Sequence, residues 1–146
     1  MEETRRSIGV VALDAVLLVP AYLIPLMVRL EGSITRSVPP ESRTSFLATF
    51  RGFIFVIIAI HLLTNVSFGL YGREAPSVAS EVRRVVLAGL TGGGLVLIAD
   101  IVLGLWPYSH RPLPLIGVAI GAIVAALGFG LVRMYGRLIP AEQDDA

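Results

Sequence analysis

Four long apolar runs, parted by polar connections, set the pattern of this chain. They cover residues 8–30, 53–71, 85–106 and 113–132. Each is long enough to cross, or nearly cross, about 30 Å of hydrocarbon at about 1.5 Å per helical residue. Charges are missing from these blocks rather than thinned evenly, which marks membrane helices and not a soluble core. The pattern predicts an all-α protein, an integral membrane four-helix bundle, with residues 1–146 as one transmembrane domain. The first run is too long for a signal peptide and no small-residue cleavage site follows it, so it reads as a span.

The polar positions inside the runs are few and fall on defined faces. At about 100° per residue, Asp14, Ala21 and Pro25 share one side of the first span. Pro20 and Pro25 free carbonyls one turn back, which neighbouring helices tolerate. His61, Thr64 and Asn65 cluster on the second span. On the third, Gly89, Gly93, Asp100 and Gly104 line up, and on the fourth Gly117, Gly121 and Gly128 do so. Small residues on one face let helix backbones approach, so these faces read as packing surfaces, within or between chains.

The connections fix the expected orientation. Residues 31–51 read as a loop of about twenty residues, with room for a short interfacial helix over 42–49. Residues 65–86 form the marked polar hinge, in which Pro76 stops one helix and Ser77 or Ser80 caps the next. Trp106, Pro107 and Tyr108 make an interfacial anchor before the short turn to the last span. Four spans place both termini on one side. With that side cytoplasmic, Arg5, Arg6, Arg73, Arg83, Arg84, Arg133 and Arg137 lie inside, and Arg29, Arg36, Arg43, Arg51 and Arg111 outside. Seven against five favours termini inside.

Composition narrows the function classes. The chain is 55% hydrophobic and 16% charged, where a soluble domain carries about a quarter charged residues. A net charge of +1 without a basic stripe gives nucleic acid no footprint. No cysteine is present, so disulfides, thiol nucleophiles and thiolate metal sites are excluded. The partner implied by the pattern is the lipid bilayer.

The candidate chemistry is sparse. Asp14 and Asp100 are ionisable groups within spans and raise a functional hypothesis by default. Depth separates them: Asp14 lies near the level of Asn65, and Asp100 near Arg29 and the far interface. Each reads first as a buried hydrogen-bonding or ion-pairing group that fixes helix register. His61 lacks a second ligand at metal spacing and reads as a neutral histidine bonded to a neighbouring helix. The Thr91-Gly92-Gly93-Gly94 run lacks the Gly-Lys-Ser/Thr ending of a phosphate loop and follows no strand. Ser109 and His110 have no acid nearby in sequence to complete a catalytic set. No catalytic residue, cofactor or metal is expected.

Several short motifs carry a resemblance. They are Asp14 and Ala21-Tyr22 in the first span, then Val28-Arg29-Leu30-Glu31-Gly32 at its exit. Phe68-Gly69-Leu70-Tyr71 ends the second span, followed by Ala79-Ser80 and Glu81-Val82-Arg83-Arg84-Val85-Val86. In order and spacing, over roughly residues 6–138, the chain resembles the N-terminal membrane domain of bacterial polysaccharide-biosynthesis proteins of the nucleoside-diphosphate-sugar epimerase/dehydratase type. A similar domain precedes the catalytic part of some polyprenyl-phosphate sugar-phosphate transferases. The stretch Gly72-Arg73-Glu74-Ala75-Pro76 is less basic and aromatic than that family's hinge.

The resemblance implies a setting at the bacterial cytoplasmic membrane, in surface-glycan assembly. The family's chemistry resides in a Rossmann domain, and these 146 residues hold neither Gly-x-Gly-x-x-Gly after Arg137 nor any lysine for a Tyr-x-x-x-Lys pair. The expected role is therefore a non-catalytic membrane module that scaffolds or oligomerises glycan-synthesis enzymes, or itself. Tyr71, Arg73, Glu81, Arg83 and Arg84 form its expected cytoplasmic interaction hinge. The alternative is a small transporter or lipid-linked-sugar flippase subunit using Asp14, His61 and Asp100. A third reading is a fragment or degenerate relative of a full-length dehydratase, the stretch after Arg137 resembling a linker.

Overall fold

The computed structural model describes residues 2–31, 40–72, 77–105 and 112–138, and the side chains within 8–28, 44–72, 77–105 and 112–135. Among these residues all regular structure is helical: α1 (Glu2–Glu31), α2 (Pro40–Ser67), α3 (Val78–Leu105) and α4 (Leu115–Leu138). All four are long and apolar enough to cross a membrane. Each packs against two neighbours, in the ring order α1, α2, α3, α4 and back to α1. This is an up-down-up-down four-helix bundle with α1 antiparallel to α4. Its outward positions are apolar, including Phe55, Leu63, Leu90, Leu105 and Leu131, as a lipid-facing surface requires.

Several boundaries differ from the sequence expectation, most of all those of α2. Residues 40–51, expected in a loop, belong to α2, and the apolar window of that helix begins at Thr44. Pro40 suits the first helical position, where its missing N–H is no loss. Thr49, Phe50, Phe53, Ile54 and Ile57 then recur at helical spacing and are all buried. Arg51, which made the loop seem to continue, lies on the exposed side of this helix. Its long stem can carry the charge towards the interface without ending the span. Conversely, α2 stops at Ser67 instead of running to Tyr71.

Both ends of the second connection are built from local rules. Gly69 adopts φ +68°, and its N–H bonds the Val66 carbonyl while the Leu70 N–H bonds the Asn65 carbonyl. This paired pattern is the Schellman close of a helix, which needs a left-handed residue and therefore favours glycine. At the start of α3, the Ser80 N–H donates to Ser77 Oγ at 3.2 Å and the Ser77 N–H to Ser80 Oγ at 3.3 Å. The two serines cap reciprocally, so α3 begins at Val78, two turns before the expected Val85.

Glycines set the closest helix contacts. A Cβ at Gly89 would stand 2.6 Å from the Ala126 Cβ, and one at Gly93 would stand 2.5 Å from the Ala122 Cβ. The Gly89 and Gly93 face is thus used within the chain, to seat α4 against α3. A Cβ at Gly121 would stand 2.5 Å from the Tyr22 ring, one at Gly92 2.6 Å from His61 Nδ1, and one at Gly128 3.4 Å from Leu17. Gly117 departs from the expected interhelical role: its neighbour is Pro114, in the turn that starts its own helix. Pro20 and Pro25 both sit inside an unbroken α1, with Pro20 exposed.

Substituting Gly121 by Ala forces the Tyr22 ring to move and should destabilise the bundle by about 1–3 kcal/mol. Gly94, with nothing within 4 Å of an added Cβ, is the matched control. Unfolding of the two variants in mild detergent checks the contrast, and equal stability would contradict this packing.

Candidate functional site

The polar side chains of the spans gather at separate levels of the bundle. The largest group surrounds Asp14, whose residue is fully buried on α1. Arg133 of α4 grips it with both terminal nitrogens, Nη2 to Oδ2 at 2.9 Å and Nη1 to Oδ1 at 3.4 Å. Oδ2 also accepts from Tyr71 Oη at 2.8 Å and from Asn65 Nδ2 at 3.2 Å. Asn65 Nδ2 donates in addition to Tyr71 Oη at 3.1 Å. Arg133 Nη1 donates to the Phe129 carbonyl at 2.8 Å, and the guanidinium lies 5.6 Å from the Tyr71 ring centroid. Three helices and one turn therefore converge on a single carboxylate.

Each partner arrives by a local cause. Asn65 lies within the last turn of α2, and the Gly69 close turns the chain so that Tyr71 returns to the bundle. Arg133 and Phe129 are one turn apart on α4 and share its buried face with Ala125. Burial pushes the Tyr71 phenol above its ordinary range, against the opposing hydrogen bond from Asn65, and the phenol donates to the carboxylate. A buried charge is tolerated only when paired and hydrogen-bonded, and both oxygens of Asp14 meet that condition.

A second level holds Tyr22, His61 and Phe129. Tyr22 Oη and His61 Nε2 are 2.8 Å apart, and the His61 ring meets the edge of Phe129 with centroids 5.8 Å apart. A neutral imidazole and a phenol carry two exchangeable protons between them, and this contact uses one. His61 Nδ1 has no partner, and Gly92 closes its approach. Asn65 Oδ1 and Arg133 Nε are also buried without partners. The third level is at the opposite end, where Asp100 Oδ1 accepts from the Leu113 N–H at 2.6 Å and so holds the start of α4 to α3.

The structure places Asp14 and Asn65 together, as depth predicted, and keeps Asp100 apart. His61 is one turn from Asn65 and faces Tyr22 instead of the Asp14 group. Tyr71, expected as a hinge residue, is half-buried and belongs to the ion-pair group; Glu81 opens α3. Arg83 is exposed and Arg84 half-buried, while Arg73 and the Trp106 to Arg111 turn lie outside the described residues. Arg133 is the residue the sequence reading missed. Counted there as a flanking arginine, it is buried, which leaves six against five for the orientation. A lone buried carboxylate and an arginine at the inner end of another span were the signal that could have paired them.

No group of three or more His, Asp or Glu side chains suited to a metal occurs among the described residues. The fold and site define a multi-pass membrane bundle tied by a buried ion pair. Comparison with protein-family models, with curated proteins and with solved structures finds no match to this chain.

Replacing Arg133 by Met strands the Asp14 charge and should cost about 3–5 kcal/mol. The double variant Asp14→Leu with Arg133→Met should recover most of that loss, because it removes both charges. Tyr71→Phe removes one donor to a carboxylate and should cost about 1.5–3 kcal/mol. A double-mutant cycle on unfolding in detergent measures all three; additive losses for Asp14 and Arg133 would contradict the pairing.

Proposed function

We propose that this chain is a non-catalytic membrane module that scaffolds or assembles enzymes of surface-glycan synthesis at the bacterial cytoplasmic membrane. The termini and the connection between α2 and α3 face the cytoplasm in this reading. The observation that carries it is the fourfold hydrogen bonding of Asp14 by Arg133, Tyr71 and Asn65. A carboxylate so held is a structural tie, and Asp14 and Tyr71 are both among the residues on which the family resemblance rests. The tie holds Tyr71, in the closing turn of α2, against the bundle, and Arg83 and Arg84 near the start of α3 offer the surface for a partner to grip.

A transporter reading has one observation in its favour, the uncommitted His61 Nδ1 at the second polar level. Neutral substitution of Asp14 or Asp100 without loss of lipid-linked-sugar translocation counts against it.

Crosslinking and pull-down from native membranes, with this chain as bait, tests the scaffold reading. Recovery of a nucleotide-sugar dehydratase or a sugar-phosphate transferase is the expected result. Recovery of the chain with itself alone overturns the glycan-enzyme partner, and turnover of a nucleotide sugar by the purified protein overturns the non-catalytic role.

A further inference from the structure

We infer that the cleft at the start of α3 binds the headgroup of an anionic phospholipid, with one acyl chain laid down the outer face of the same helix. Among the described residues the cleft is lined by Ala79, Ser80, Arg83, Arg84 and Leu87, and its volume is about 500 Å³. All five belong to one helix and the cleft is broadly open, so it suits a headgroup that stays at the membrane surface and not an enclosed ligand.

Charge supplies the first argument. Among the described residues the ion pair is that of Arg133 with Asp14, so neither Arg83 nor Arg84 has a carboxylate partner there. Two adjacent guanidiniums present forked donors that match phosphate oxygens. The helix terminus is not the anion's holder, because the Ser80 N–H is already taken by Ser77 Oγ and the Glu81 N–H by the Ser77 carbonyl. The arginines carry the site.

Depth supplies the second. After Arg84 the helix holds no charge until Asp100, so Arg83 and Arg84 stand where water gives way to hydrocarbon. Juxtamembrane arginines at that level attract anionic headgroups. Shape supplies the third. Arg83, Leu87, Leu90, Gly94 and Ile98 fall on one side of α3 at helical spacing. Leu90 and Ile98 are exposed there, and Gly94 leaves open space between them. The stripe is a shallow apolar track running from the cleft into the bilayer, the shape an acyl chain follows. Selectivity comes from charge: a choline headgroup brings a cation towards the two arginines, while a glycerol headgroup does not.

This inference does not rest on the scaffold reading. Native mass spectrometry of the full chain, titrated in detergent with phosphatidylglycerol or phosphatidylcholine, tests it. The expected result is at least a tenfold preference for phosphatidylglycerol. Arg83→Gln, which changes an exposed side chain, should weaken retention about fivefold, and the Arg83→Gln, Arg84→Gln pair more than tenfold. Arg51→Gln, an equal loss of charge on α2, should leave retention unchanged. Equal binding of the two lipids overturns the proposal, as does an equal loss in Arg51→Gln. Displacement of the lipid by millimolar inorganic phosphate also overturns it, since the site would then be one for a soluble anion.

Discussion

The rest of this bundle depends on one interaction, the forked pairing of Arg133 with Asp14. Lipid offers no hydrophobic drive for helices to associate, because the acyl chains are as apolar as the side chains they would meet. Specific polar contacts and close backbone packing must supply what water supplies in a soluble core. A charge pair withdrawn from solvent is weak evidence of net stability, since desolvation offsets most of the attraction. Its effect is on choice. Bundles that do not place α4 beside α1 leave two buried charges unmatched, so the pair fixes that neighbour relation. Asn65 and Tyr71 add α2 and its closing turn to the same carboxylate, which leaves α3 to be placed by other means.

Those other means are steric. α3 meets α4 where Gly89 and Gly93 accept Ala126 and Ala122, and it meets α2 where Gly92 leaves space for the His61 ring. Gly121 does the same for Tyr22, so each large polar ring at the middle level faces a glycine on an adjacent helix. The two devices divide most of the work by type: hydrogen bonds join α1, α2 and α4, and missing side chains seat α3 along its length, with the Asp100 to Leu113 bond at its end.

Much of this was legible in the sequence. Four apolar runs named the fold class, and the 100° rule placed Asp14, His61, Asn65 and Asp100 on inward faces. Gly89 and Gly93 were read correctly as a packing face. What the sequence concealed was partnership. Arg133 has the same local signature as Arg137, an arginine at the exit of an apolar run, and only the three-dimensional position of Asp14 separates them. Arg51 misled in the opposite direction: a single charge looked like the end of a polar loop because its outward facing was invisible. The return of Tyr71 was hidden for a further reason. The apolar run continues to Tyr71 and the visible breaker is Pro76, whereas the stop at Gly69 and the direction the chain takes after it depend on the Schellman hydrogen bonds.

The three polar levels have a consequence for motion. A slide of α1 along α4 by one helical turn, about 5.4 Å, would carry Asp14 off Arg133 and bring Tyr22 out of register with Gly121. Asp100 and Leu113 pin the opposite end of α3 to the start of α4 in the same way. The helices are thereby barred from acting as pistons. The movement left to the bundle is a rigid tilt of the whole, so any signal it passes across the bilayer travels as a change of angle, not of height.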